Sequence, residues 1–322
     1  MKKSVLIPVI IFLTSAQFLW AQKPVQLQIN HLLGDKPYST EIESSNDLTN
    51  TFTTSRVEYY ISKIALVHSG GTNTDCSGVY VLANANDNGK YNLGQYEVEN
   101  IEAIQFYIGV NSPENNDDPT QWPEGHALAP KMPSMHWGWS SGYRFVCMEG
   151  NTTSAQDQQY QVHALGNQNY FGLQIPVSAV DENDTLVIKI NADYTQALSQ
   201  INIANGLIVH GDINESVTLL KNFSEKVFSS DSGESSISLS SSELLNIDYF
   251  DVYPNPSNGP LLVSINNDVL TNAHLNICDL GGRIIYNAAM ANNAAINLES
   301  GVYIIKLLEF NKVVAIKKVM VH

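Results

Sequence analysis

The stretch Val57-Glu58-Tyr59-Tyr60-Ile61-Ser62-Lys63-Ile64-Ala65-Leu66-Val67 is rich in β-branched and aromatic residues. Val57, Tyr59 and Ile61, then Ile64 and Leu66 with Val67, set its apolar positions at a period near two. A strand sends successive side chains to opposite faces, so the pattern is that of a strand with one face buried. Working outward, the same pattern recurs. Val25, Leu27 and Ile29 alternate with Gln26 and Gln28, and Ile104, Phe106, Ile108 and Leu186, Ile188, Ile190 repeat it. Turn chemistry falls between the runs at Ser69-Gly70-Gly71, Asn86-Asp87-Asn88-Gly89, Glu149-Gly150-Asn151 and Gly211-Asp212,. Helical periodicity is weak, with short candidates only at residues 191–201 and 214–219. Many short strands between polar turns predict an all-β chain with a β-sandwich-like central domain. Strand-like runs resume at Tyr249 and continue to Val321, which predicts a second, smaller all-β domain at the C-terminal end.

The two ends and the join carry their own signals. Lys2 and Lys3 precede an apolar run from Val5 to Trp20, broken by Thr14, Ser15 and Gln17, and Ala21 supplies a small residue before Gln22. This predicts a signal peptide over residues 1–21, with Gln22 as the mature N-terminus. The run falls short of the roughly 20 residues a spanning helix needs, and no later stretch is long and apolar enough, so no transmembrane segment is expected in the mature protein. Serine dominates residues 224–242 together with Asp, Glu and Gly. Such a composition buries too little surface to offset its ordering entropy, which predicts a Ser-rich linker over residues 222–247 between a domain at 22–221 and another at 248–322. The formal net charge of the 322 residues is -15. That argues against a nucleic-acid partner, since phosphate-backbone binding needs clustered Lys and Arg. Of three cysteines, Cys76 and Cys147 could pair in an oxidising compartment or stand as two buried thiols, and Cys278 has no expected intrachain partner,. No nucleophile elbow, zinc-protease helix motif or phosphate loop occurs, so the chain reads as a binding protein and not an enzyme.

The tail carries a set of ordered motifs. They are Val252-Tyr253-Pro254-Asn255-Pro256, Asn258-Gly259, Asp279-Leu280-Gly281-Gly282, Gly301-Val302-Tyr303-Ile304-Ile305-Lys306 and Lys317-Lys318-Val319. Over residues 248–322 it resembles the type A C-terminal sorting domain of the type IX secretion system of Bacteroidetes-type bacteria. The resemblance implies export through that machinery to the outside or the cell surface, by way of the periplasm. The prolines suit an extended start, because each lacks an N–H and restricts its neighbour, and Gly281-Gly282 suits a tight hairpin.

The central domain carries Met135-His136-Trp137-Gly138-Trp139-Ser140-Ser141-Gly142-Tyr143-Arg144-Phe145 and then His163-Ala164-Leu165-Gly166. Upstream lie Tyr59-Tyr60-Ile61-Ser62, Phe106-Tyr107-Ile108-Gly109 and His126-Ala127-Leu128. Over about residues 24–221 it resembles the MbnP-like copper-binding family. The resemblance implies a secreted, β-rich protein that holds Cu(I) through histidines and an oxidised tryptophan, kynurenine, with a diheme partner enzyme performing the oxidation. The family often has Pro where Ala127 stands here, and His136 between Met135 and Trp137 is a second departure. The leading metal candidates are His126, His136 and His163, with Met135 as a soft ligand, and Trp137 or Trp139 as the kynurenine precursor. Imidazole suits copper in either oxidation state, and thioether sulfur favours Cu(I). In a regular strand His136 and Trp137 would face opposite ways, so a bulge or turn would have to bring them to one ion. A plainer reading makes Trp137, Trp139, Tyr143 and Phe145 core aromatics. His68 and His210 are weaker candidates, and His31, His274 and His322 are set aside. Glu114, Asn115, Asn116, Asp117 and Asp118 form an oxygen-rich loop that would suit calcium, or only a solvated acidic loop,. The alternative function is a surface β-sandwich binding a glycan or protein without a metal.

Overall fold

The computed structural model describes residues 22–153, 158–239, 250–265, 273–279, 283–290, 294–309 and 312–322; the expected signal peptide lies outside them. Strand accounts for about 53% of the structure and helix for 10%, which places the chain in the all-β class. Residues 22–239 hold two sheets. One has six strands, with Ala179–Glu182, Thr185–Asp193, Lys23–Leu33 and Lys36–Pro37 along its path. The other has ten, ordered Leu207–Gly211, Gln158–Ala164, Val146–Thr152, Thr51–His68, Ile101–Ile108, Phe171–Pro176 and Ile237–Ser238, with three short strands against Thr51–His68. Val25, Leu27 and Ile29 from the first sheet share one buried core with Val57, Tyr59, Phe106 and Val162 from the second. The arrangement is a sandwich with one strongly curled sheet.

The strand Thr51–His68 explains the curl. Its first half pairs with Val146–Thr152 and its second half with Ile101–Ile108. The register shifts between Ser62 and Ala65, and Lys63 has φ 49°. The extra residue breaks strict alternation and turns the strand; before it, Tyr59 and Ile61 are buried on one face while Tyr60, on the other, is buried against Tyr143 at 5.3 Å.

Three sequence expectations change. Glu149-Gly150-Asn151 is no turn but lies inside the strand Val146–Thr152. The glycine serves close packing: a Cβ on Gly150 would stand 2.0 Å from the Thr53 carbonyl oxygen and 2.6 Å from the Tyr160 hydroxyl. Of residues 191–201, only Tyr194–Ala197 is α-helical, started by Asp193, which accepts from the Thr195 N–H at 3.0 Å. The second helix is Glu215–Asn222. The serine-rich segment is folded as far as residue 239. Phe223–Val227 forms a π-helical turn, Phe228–Ser230 pairs with Thr185–Asp193, and Ile237–Ser238 pairs with Phe171–Pro176. Phe223, Val227 and Phe228 are buried at 0%, 2% and 1% exposure, and burial of such side chains at about 1.5–3 kcal/mol each offsets the entropy that the serines would cost,. The rest of the expected linker, residues 240–247, lies outside the described residues.

The tail comprises a three-stranded sheet, Phe250–Tyr253, Leu261–Ile265 and Ala294–Ile296, and a four-stranded sheet ordered Ile284–Met290, Ala273–Asp279, Gly301–Glu309 and Lys312–Val321. Phe250, Leu261, Val263, Leu275, Ile277, Ile305 and Val319 form its own core. The turn expected at Gly281-Gly282 lies outside the described residues. Cys76, Cys147 and Cys278 are all free, buried thiols, so Cys76 and Cys147 do not pair.

Candidate metal centre

Register builds the site. Across the ten-stranded sheet, Asn84 pairs with Glu58, Glu58 with Cys147, Cys147 with His163 and His163 with His210. The next row runs Arg56, Glu149, Gln161 and Ile208. Paired residues share a face, and residues two apart on a strand share it too. A polar strip therefore lies on the side away from the aromatic core.

Residues 134–144 fold across this strip as a tight loop. His136 and Tyr143 form a bridge, the Trp137 N–H donates to the Gly142 carbonyl at 2.8 Å, and the Gly142 N–H donates to Gly138 at 2.8 Å. Gly138 takes φ 91°, a conformation few side chains tolerate,. Tyr143 anchors the loop, its hydroxyl donating to the Leu128 carbonyl at 2.6 Å and its N–H to Asn115 Oδ1 at 2.8 Å.

Under the loop, the rings of His163 and His210 stack with centroids 4.0 Å apart and planes 6° from parallel. Trp137 meets His210 edge-on at 5.5 Å, and the Arg144 guanidinium sits 5.0 Å above the Trp137 ring. His163 is 7% exposed. Its Nε2 lies 2.9 Å from Glu149 Oε1, while its Nδ1 is buried with no hydrogen-bond partner. Arg56 reaches Glu149 Oε1 at 2.9 Å, Glu58 Oε2 at 2.7 Å through Nε, and the Met135 sulfur at 3.1 Å. The hydrogen bond from His163 and the Arg56 charge hold the Glu149 carboxyl below its usual range, against the opposing effect of burial,. Burial, then the neighbouring His163 and Arg144, lower the His210 imidazole from its ordinary value, against the opposing charge of Glu149,. Burial pushes the Cys147 thiol up to about 12, so it stays protonated. A cleft of about 390 Å³ opens the Trp137 and His210 side chains to solvent.

The structure separates the sequence candidates. His163 and Trp137 meet through His210, and Met135 is tied to the same strip through Arg56. Its sulfur already accepts from that cation. His126 belongs elsewhere: its ring stacks on Trp122 at 4.3 Å, beside Tyr80, and its Nδ1 accepts from the Leu128 N–H at 3.1 Å. His136 turns to the other side of the loop, edge-on to Tyr143 at 4.7 Å; the turn that could have joined it to Trp137 does not do so. Trp139 is 72% exposed and Trp137 41% exposed, so neither is a core aromatic, whereas Tyr143 and Phe145 are. In the acidic loop, Asp118 accepts from the Thr120 N–H and hydroxyl at 2.9 Å each, and Asn115 donates to Asn167 at 2.8 Å. His210, a weaker candidate from the sequence, is brought beside His163 by the parallel pairing of Leu207–Gly211 with Gln158–Ala164, which leaves no local mark.

Among the described residues no three His, Cys, Asp or Glu side chains converge as a metal cage. Zinc sites take three or four such ligands. Two imidazoles, one with an orphaned buried nitrogen, beside an indole are a nitrogen donor set that suits copper in either oxidation state,.

Fold and strip together define an all-β domain with a histidine-bearing polar strip, followed by a small β-domain with its own core. The profile of the MbnP family matches residues 22–215, more than half of the chain, and that of the secretion system C-terminal sorting domain matches residues 251–322. The chain belongs to the MbnP family and ends in a sorting domain of the type IX secretion machinery, which marks it as secreted or displayed on the cell surface. Among solved structures it is similar to MbnP from Methylosinus trichosporium, at 13% identity and a TM-score of 0.43, over 59% of this chain and 81% of that one. No curated protein matches. No helix among the described residues is long and apolar enough to cross a membrane.

Proposed function

We propose that the protein is an exported copper-binding protein that holds Cu(I) at His163 and His210 beneath Trp137. The observation that carries this reading is the buried, unpartnered Nδ1 of His163 in a ring stacked 4.0 Å from that of His210. As stacked, the two rings hold their nitrogen lone pairs in parallel planes 6° apart, so one ion can bind both nitrogens at about 2 Å only if one ring turns. His163 is fixed and His210 is exposed, so His210 is the ligand that turns to close the site. Trp137 is the residue beside the imidazoles and therefore the kynurenine precursor, in preference to Trp139. That oxidation adds oxygen and removes carbon, and the family resemblance assigns it to a diheme enzyme. Export removes residues 1–21 at one end and uses the tail at the other.

A Cu(I) competition titration on the mature chain tests the site. His163→Ala and His210→Ala should each abolish retention of one equivalent against a moderate competitor, while His126→Ala and His136→Ala should leave it intact. Equal losses for all four, or none for His210→Ala, would overturn the assignment. Mass spectrometry of material from the native host should show a small positive shift on the peptide holding Trp137 and Trp139, with fragments assigning it to Trp137.

A further inference from the structure

We infer that Glu149, clamped by Arg56, is a positioning residue that locks His163 as its Nε2–H tautomer and so turns the bare Nδ1 toward the site. The tautomer follows from the contacts alone; its consequence for metal affinity rests on the copper reading above.

A neutral imidazole carries one N–H, and which nitrogen bears it is set by the partner of the other. Here the only hydrogen bond of the His163 ring among the described residues joins Nε2 to Glu149 Oε1, at 2.9 Å. An ionised carboxylate only accepts, so Nε2 must donate. Arg56 keeps that carboxylate ionised and immobile. Its Nη1 binds the same Oε1 at 2.9 Å, its Nε binds Glu58 Oε2 at 2.7 Å, and Asn84 Nδ2 holds the other Glu58 oxygen at 2.9 Å. The guanidinium thus spans two neighbouring strands, and its remaining arm touches the Met135 sulfur in the covering loop at 3.1 Å. From behind, Ser216 donates to the His163 carbonyl at 3.3 Å from the helix Glu215–Asn222. With Nε2 committed, Nδ1 keeps its lone pair and has nothing in the protein to receive. A carboxylate on the far nitrogen of a metal-binding histidine orients the ring and raises its basicity, and loss of such a partner lowers affinity by about 10–100-fold.

The test reads the apo protein first. Long-range ¹⁵N–¹H correlation at pH 8, with His163 assigned by His163→Ala, should show a protonated Nε2 and a bare Nδ1. Glu149→Ala should mix the two tautomers. Glu149→Gln, which still offers an acceptor oxygen, should preserve the wild-type pattern. Cu(I) affinity should then fall about 10–100-fold in Glu149→Ala and less in Glu149→Gln, and circular dichroism of both should match wild type. His210→Ala should lose copper yet leave the His163 nitrogen shifts in place. If Glu149→Ala does not fold, the wild-type spectrum alone decides. A dominant Nδ1–H in the wild-type apo protein, or unchanged His163 shifts in a folded Glu149→Ala, would overturn the inference. A wild-type protein that holds no copper but shows the Nε2–H tautomer would defeat the functional reading and leave the positioning intact.

Discussion

Phe223→Ala distinguishes a packed serine-rich segment from a linker. The Phe223 ring is 0% exposed and touches three aromatic neighbours edge-on or tilted: Tyr59 at 5.0 Å, Phe228 at 6.0 Å and Tyr194 at 6.4 Å. Cutting a buried Phe to Ala costs about 3–5 kcal/mol through lost transfer energy and the cavity left behind. Edge-to-face partners add about 0.5–1.5 kcal/mol per pair, which places this site toward the upper end. A Phe in a solvated linker would cost within about 0.5 kcal/mol. The gap between the two outcomes is several-fold larger than the error of a denaturant titration. Urea unfolding of the mature chain, followed by tyrosine and tryptophan fluorescence, reads it. A loss under about 1 kcal/mol with an unchanged slope would refute the packing of residues 223–239. Limited proteolysis gives an independent check, since early cuts at Lys221 or Lys226 would require that same segment to open.

Three further outcomes are expected. His31 is held at about 4 by burial against an unfolded value near 6.5,. The unfolded state takes up this proton first, so stability is full above pH 6.5, falls through the interval and is lower by about 3 kcal/mol at pH 4; His31→Asn should flatten that part of the urea midpoint against pH. Gly150→Ala places a Cβ 2.0 Å from the Thr53 carbonyl oxygen, so it should cost about 3 kcal/mol or more by forcing two paired strands apart, measurable as a drop in melting temperature. Cys76 and Cys147, pushed to about 11 and 12 by burial, should not react with a thiol reagent at pH 8 until denaturant is added, and the denatured, unreduced chain should then titrate three thiols.

The sequence made the class of the fold plain where each strand buries one face, as at Val25, Leu27 and Ile29, because period two is a local property. It misplaced what depends on neighbours in space. Gly150 resembles turn chemistry, but its missing side chain makes room for Thr53 and Tyr160. The serine run disguised Phe223 and Phe228, whose partner Tyr59 lies far away in sequence. At the site, His163 and Trp137 were legible from residue type and resemblance. His210 was not, since a parallel strand pairing brings it to His163 with the strands Phe171–Pro176, Ala179–Glu182 and Thr185–Asp193 and the helix Tyr194–Ala197 lying between them in the chain. His126 stood out for its position in a histidine- and methionine-rich stretch, and its ring stacks on Trp122 and accepts the Leu128 N–H.

The same hydrogen bonds that orient His163 narrow the choice of ion. Hard cations such as calcium gather six or more oxygens, with carboxylates supplying the charge. Near His163 there are two carboxylates, Glu149 and Glu58, and Arg56 binds both. Freeing both would leave a partly buried guanidinium unpaired, a cost that weak oxygen ligation does not repay. Zinc would need a third or fourth nitrogen, sulfur or oxygen donor, and among the described residues no three His, Cys, Asp or Glu side chains converge. What stays available is nitrogen from two imidazoles, with the indole of Trp137 shielding the opening. Cu(I) accepts so small a set because soft, monovalent ions tolerate two or three ligands. Zinc or calcium added at the same concentration should therefore leave the His163 and His210 nitrogen shifts unmoved under conditions where one equivalent of Cu(I) displaces them, and a zinc-induced displacement of equal size would break this chain of reasoning at its second step.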